Sequence, residues 1–133
     1  MSAPRRHRHA LPGLLAARRG ATAVEAAFVL PVLLLVLLGT IELGRLAWTR
    51  TALEFAVQEA ARCASVRPGV CGSSAQTAAF AAGRVSLLGV PASAFTVTPQ
   101  ACGAQVRAVL NYKFAAYALF KAGPTLTAQA CRL

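Results

Sequence analysis

Residues 18–41, RRGATAVEAAFVLPVLLLVLLGTI, place two arginines and a glycine directly before a long apolar run. The 22 residues from Gly20 to Ile41 contain one ionisable side chain, that of Glu25. As an α-helix they would extend about 33 Å, which is enough to cross a hydrocarbon core of about 30 Å. The sequence therefore predicts one transmembrane helix, with a kink or a loosened turn before Pro31, which removes a backbone hydrogen bond.

Glu25 carries the strongest functional signal within the run. A carboxylate costs about 2.5–3.5 kcal/mol at the centre of a membrane helix, so a glutamate in such a run is a candidate functional residue. The simpler interpretation is a glutamate that is tolerated at the boundary with the lipid headgroups. The apolar run by itself leaves both interpretations open.

The arginines predict the orientation of the run. Five of them precede it, at positions 5, 6, 8, 18 and 19, whereas Arg45 and Arg50 follow it together with Glu42. The positive-inside rule then places the N-terminus in the cytoplasm and the residues after about 45 outside, with Trp48 as an anchor at the outer interface. A secretory signal peptide is the competing interpretation, but the run exceeds the usual core of about 7–15 apolar residues, and residues 39–44 make a poor cleavage site.

Composition argues against several classes of function. The formal net charge is +10, but much of it lies before the apolar run, and no basic stripe with stacking aromatics follows, so we expect no nucleic-acid partner. The chain has no aspartate, its two histidines are His7 and His9, and no acidic residue follows Glu59. A general base, a nucleophile–base pair or a metal cage needs such residues. We therefore expect no enzyme, no small-molecule substrate, no metal and no cofactor.

Four cysteines, all after the apolar run, predict disulfides. They are Cys63, Cys71, Cys102 and Cys131. None belongs to a C-x-x-C pair, and an even number on one side of a membrane is typical of an oxidising compartment. Four free buried thiols in a cytoplasmic domain are the alternative. Of the three possible connectivities we prefer Cys63–Cys71 with Cys102–Cys131.

Beyond the run, the helical pattern continues to a stop at Arg67-Pro68-Gly69. Apolar residues recur there at three-, four- and seven-residue steps. They are Leu43, Leu46, Leu53, Val57, Ala60 and Ala64. This spacing predicts one helix from about residue 22 to 66, with an apolar stripe that packs against the outer domain or, alternatively, against neighbouring subunits.

The rest of the chain predicts a second helix and a sheet. Ser73 and Gln76 form a capping-box pattern ahead of an alanine-rich helix at about 74–88. After Pro91 the apolar period changes to two, which predicts three strands. The strands fall at about 94–98, 105–114 and 125–131, the second with Val106, Ala108, Leu110, Tyr112 and Phe114 on one face. The predicted fold class is α+β: a long N-terminal transmembrane and amphipathic helix, a second short helix, and a small antiparallel sheet of about three strands.

Residues 16–66 resemble the TadE-like family, the minor pseudopilins of the tight-adherence (Flp) type IV pilus system. Arg19-Gly20 followed by ATAVEAAF is similar to a prepilin processing site. EAAFVLP at 25–31, Glu42-Leu43-Gly44 and Glu59-Ala60-Ala61-Arg62 match the same family pattern. The leader departs from that pattern in being long and rich in histidine and arginine.

This resemblance implies a pilin-like fold and a role in building a pilus used for cell adhesion, or a related secretion-like fibre. A prepilin peptidase would cleave between Gly20 and Ala21, and Glu25 would meet the new N-terminal ammonium of a neighbouring subunit. Together the two charges would offset much of each other's desolvation. The implied partners are the bacterial inner membrane, the peptidase, other pilin or pseudopilin subunits and the pilus assembly machinery.

The charge and cysteine patterns, together with the resemblance, predict three regions. Residues 1–20 would be a cleavable basic cytoplasmic leader, 21–66 the transmembrane helix with its amphipathic continuation, and 67–133 an extracytoplasmic disulfide-bonded α+β domain. The alternative function is that of an unprocessed single-pass envelope protein with an extracytoplasmic binding domain.

Overall fold

The computed structural model describes residues 13–115 and 123–133, with side chains from Gly20 onward. Most of the predicted leader and the connection through Lys121 and Ala122 lie outside the described residues. The chain divides into two compact units, one ending at Thr40 and the other beginning at Ile41. The three predicted regions, 1–20, 21–66 and 67–133, stay a prediction.

The first element is a single long helix, α1, which extends from Gly13 to Val66. It begins earlier than the sequence predicted, and it remains helical through the turn that contains Pro31. The predicted C-terminal end at residue 66 is confirmed. Pro68, two residues later, explains why the helix stops there. The part from Gly20 onward is long and apolar enough to cross a membrane. All side chains from Gly20 to Thr40 are exposed, as a surface facing lipid would be.

The second unit contains the end of α1, two shorter helices and a sheet. The helices are α2 (Pro68–Cys71) and α3 (Ser74–Arg84), followed by 3₁₀ turns at Ser86–Leu88 and Ala92–Ala94. The strands are β1 (Phe95–Gln100), β2 (Gly103–Asn111) and β3 (Thr125–Arg132), and they form an antiparallel sheet in the order β1-β2-β3. The predicted α+β class, with a second short helix and three antiparallel strands, is confirmed.

Helix α3 begins at the predicted capping box. The Ser73 hydroxyl accepts a hydrogen bond of 3.2 Å from the Gln76 backbone N–H, and the Gln76 side chain accepts one of 3.2 Å from the Ser73 N–H. The helix ends at Arg84, four residues before the predicted boundary at 88, and the chain continues as a 3₁₀ turn. The one-turn helix α2 was not predicted, because Pro68 was interpreted only as the end of α1.

Strand β2 ends at Asn111, three residues before the predicted boundary. The ladder pairs Asn111 with Thr125, and the residue before Thr125 is Pro124, which has no N–H to donate. The carbonyl of Pro124 instead accepts a hydrogen bond of 3.0 Å from the Tyr112 N–H. The alternating faces of β2 are as predicted, since Val106 and Ala108 are buried and Leu110 is half-buried, and Tyr112 after the strand is buried too.

The core lies between the outer part of α1, helix α3 and one face of the sheet. Leu53, Val57 and Val106 are its largest fully buried apolar side chains. Alanines fill much of the remainder, which permits a close approach of helix and sheet. They are Ala56, Ala60, Ala61, Ala78, Ala81, Ala108 and Ala128.

The apolar stripe on α1 differs from the predicted stripe in its first turns. Leu43 is 65% exposed, and Leu46 and Ala64 are half-buried. Thr49 and Ala56, which the pattern did not select, are buried. The fully buried part of the stripe therefore begins at Thr49, and before it Glu42 and Leu46 are only half-buried.

Candidate functional site

Gly20 and Ala21, the predicted processing site, lie on an exposed part of α1 in the first unit. A Cβ added at Gly20 would meet nothing within 4 Å, so no contact within the described chain requires a glycine there. Glycine inside a helix costs about 0.5–1 kcal/mol relative to alanine. Packing within the described chain therefore gives no reason for a glycine at position 20, and the processing site stays a prediction.

Glu25 lies on the same exposed part of α1. Among the residues that the structure describes, none makes a hydrogen bond or an ion pair with its carboxylate. The neighbouring side chains of the apolar run supply no positive charge. Within the described residues its carboxylate is therefore exposed and unpaired, and its role in assembly stays a prediction.

A second carboxylate, that of Glu42, has three donors around it. Its Oε1 accepts hydrogen bonds from the Tyr112 hydroxyl, at 2.9 Å, and from the Ala115 backbone N–H, at 3.2 Å. Its Oε2 accepts a hydrogen bond of 3.1 Å from Nη1 of Arg45. Only 17% of the Glu42 side chain is exposed. This cluster, Glu42 with Arg45, Tyr112 and Ala115, ties the helix to the segment after β2 directly beyond the apolar run.

The cluster favours an ionised Glu42 beside a neutral Tyr112. Desolvation acts to raise the pKa of Glu42, but the hydrogen bonds from Tyr112 and Ala115 and the charge of Arg45 outweigh it, and the pKa is lowered. Desolvation, together with the hydrogen bond to Glu42, raises the pKa of Tyr112. Both shifts stabilise the same arrangement, in which the phenol donates to the carboxylate.

The four cysteines form the two disulfides that the sequence analysis preferred. Cys63–Cys71 joins the last turns of α1 to the end of α2, with Cα atoms 5.7 Å apart. Cys102–Cys131 joins the β1–β2 turn to β3, with Cα atoms 6.0 Å apart. The first disulfide closes the loop at the helix end, and the second ties the hairpin to the last strand.

Trp48, the predicted interfacial anchor, is 71% exposed. With Thr51, Ala52 and Phe55 it lines one side of an apolar groove of about 330 Å³, and Arg84 from the end of α3 lines the other. The sequence pattern contained no signal for this groove, because Arg84 reaches α1 only through the packing of α3.

These features fit a class of membrane protein that has, within the described residues, one candidate membrane helix and a small disulfide-bonded α+β domain. Residues 20–62 match the family model of the TadE-like proteins, which confirms over that segment the resemblance stated from the sequence. The match begins at Gly20 and includes Glu25, Glu42 and Glu59. It covers about a third of the chain and associates it with the Tad/Flp pilus system. No curated protein and no solved structure matches the chain.

Proposed function

We propose that the chain is a minor pilin-like subunit, or pseudopilin, that a prepilin peptidase processes and that is needed to assemble a tight-adherence (Flp) pilus or a related fibre. The observation that carries the proposal is the start of the TadE-like match at Gly20, five residues before Glu25. The exposure of both residues supports it, because a peptidase and a neighbouring subunit must reach them.

In this proposal the chain crosses the inner membrane once, with its leader in the cytoplasm and its disulfide-bonded domain outside. The distribution of arginines supports that orientation. The two disulfides support it too, because they belong in an oxidising compartment. The chain then acts as an assembly component and not as an enzyme.

Processing is tested by coexpression with the cognate prepilin peptidase, followed by intact-mass measurement and N-terminal sequencing of the membrane-extracted product. We expect a product that begins at Ala21. A Gly20→Leu variant should keep its full mass. Gly39→Leu is the matched control, since a side chain at Gly39 also meets open space, and it should be processed normally. A wild-type chain that stays intact, or is cleaved after residue 40, contradicts the proposal.

Assembly is tested by Glu25→Ala and Glu25→Gln. The control is Glu54→Gln, which removes a carboxylate from the exposed ion pair with Arg50, outside the run. Both Glu25 variants should insert into the membrane at wild-type levels and abolish piliation, whereas the control should pilate normally. Unchanged piliation in Glu25→Ala would remove the role of this carboxylate. An unprocessed envelope protein, the alternative function, would show neither cleavage nor dependence on Glu25.

A further inference from the structure

We infer that Cys102–Cys131 is a thiol–disulfide exchange site, which a dithiol reductant opens while the Cys63–Cys71 disulfide stays closed. The inference rests on a difference in access between the two disulfides. Cys102 lies in the turn between β1 and β2 and is exposed, and Cys131 is half-buried near the end of β3. Cys63 and Cys71 are each only 3% exposed. Exchange requires the attacking thiolate to reach a sulfur. The rate of reduction should therefore be limited by access at Cys63–Cys71 and not at Cys102–Cys131.

The backbone around Cys63–Cys71 restricts its opening further. The Cys63 carbonyl accepts a hydrogen bond of 2.8 Å from the Arg67 N–H, and the Cys71 N–H donates one of 2.9 Å to the Arg67 carbonyl. The buried hydroxyl of Thr77 donates a hydrogen bond of 3.1 Å to the Cys71 carbonyl, which joins the loop to α3. The packing of the end of α1, α2 and the first turn of α3 therefore limits access to this disulfide, and moving its sulfurs apart requires those contacts to open.

Opening Cys102–Cys131 has no such requirement, because it lies at one end of the sheet. The buried residues that hold the sheet to the helices lie further along the strands. They are Phe95, Val106, Ala108 and Ala128. The strand ladder also continues past the disulfide as far as the Asn111–Thr125 pair. Reduction would therefore free the β1–β2 turn from the end of β3 and leave the domain folded.

The exchange is a two-electron reduction. A thiolate of the dithiol attacks Sγ of Cys102, the Sγ–Sγ bond breaks, and Cys131 leaves as a thiolate that takes up a proton. The second thiol of the reductant then attacks the mixed disulfide and releases Cys102 as a thiol. The reductant ends as a disulfide, and its two protons end on Cys102 and Cys131. In the cell the reductant would be an extracytoplasmic dithiol protein, a location that rests on the orientation in the proposed function.

The test uses the purified full-length chain in detergent, without reference to processing or orientation, so its result is independent of the proposed function. Dithiothreitol is added for increasing times, thiols are trapped with N-ethylmaleimide, and mass spectrometry of peptides reports the label on each cysteine. We expect Cys102 and Cys131 to be labelled at least about tenfold faster than Cys63 and Cys71. Equal rates, or the reverse order, would overturn the inference.

Two further measurements separate the role of the fold from intrinsic reactivity. In concentrated guanidinium the two disulfides should open at similar rates, and a persistent tenfold difference there would refute the explanation by access. After selective reduction, the far-UV circular dichroism should match that of the oxidised chain. A loss of helix and sheet signal at that stage would show that the opening is global, and would overturn the local exchange site.

Discussion

The carboxylate of Glu42 accepts a hydrogen bond of 2.9 Å from the hydroxyl of Tyr112, which lies 70 positions later in the chain. Glu42 is the first residue after the apolar run, and Tyr112 directly follows β2. The contact therefore joins the helix, just beyond the predicted membrane segment, to the residue that follows the central strand of the sheet. The same contact helps to lower the pKa of a half-buried glutamate in the family-matched segment.

Tyr112→Phe should lower the melting temperature of the folded domain by a few degrees, because it removes the phenol donor and retains the ring. The ring's edge-to-face contact with Phe114, at 5.5 Å between centroids, would remain. Thermal unfolding followed by circular dichroism measures the effect. Glu54→Gln, which breaks an exposed ion pair with Arg50, is the control and should change the melting temperature little. Equal effects of the two variants would contradict a stabilising role for the Tyr112 contact.

The contribution of the Glu42 cluster should depend on pH. Because the pKa of Glu42 is lowered on folding, its contribution is present above the ordinary glutamate pKa of about 4.3 and is lost as the pH falls through the lowered value. Melting temperatures of the wild type and Tyr112→Phe should therefore differ at about pH 6 and converge as the pH falls through the lowered pKa of Glu42. A difference that is constant over this range would show that ionisation of Glu42 is not involved.

Leu53→Ala should lower the free energy of unfolding by about 2–5 kcal/mol, because Leu53 is 1% exposed in the core. Leu43→Ala is the matched control on the same helix, and it should change stability by less than about 0.5 kcal/mol, because Leu43 is 65% exposed. Denaturant unfolding of both variants in detergent measures the difference. A large loss of unfolding free energy in Leu43→Ala would show that Leu43 is packed, and would support the longer stripe that the sequence pattern predicted.

Gly103→Ala should destabilise the domain by more than about 1 kcal/mol. Gly103 has a φ of 105°, and a Cβ there would collide with the carbonyl of Arg132. Gly83→Ala is the control, for which we expect the opposite effect. Gly83 lies within α3 with open space around it, so the substitution should stabilise the domain by about 0.4–1 kcal/mol. The same unfolding measurement compares them, and a neutral Gly103→Ala would show that the turn adapts.

Local features of the sequence were sufficient to predict most elements of the fold. The period of the apolar residues predicted the helix and the strands, and Ser73 with Gln76 located the start of α3. The errors lie where a tertiary contact competes with a local pattern. Leu43 has the right spacing for the stripe, but no part of the sheet or α3 covers it. The strand pattern continues to Phe114, but Pro124 opposite ends the ladder.

For the same reason, the sequence singled out some residues of the candidate site but did not predict the contact between Glu42 and Tyr112. Gly20 stands out in the sequence because it follows two arginines at the start of the apolar run. Glu25 stands out because it is the single ionisable residue of that run. Glu42 was noted within a family pattern, yet its partner Tyr112 was predicted only as an inward-facing strand residue. No spacing rule relates two residues that are 70 positions apart.

Local residue patterns were enough to predict a candidate membrane helix, the α+β class and the capping box. The cysteine pairing was a preference among three connectivities, and the tertiary structure shows that preferred pairing. Tertiary structure alone decided where α1 becomes buried, which donors surround Glu42, and which disulfide is accessible. Those properties depend on how the sheet and α3 pack against one helix face. That packing brings together residues whose separation in the chain carries no local signal. It leaves Cys102 exposed while it buries Cys63 and Cys71.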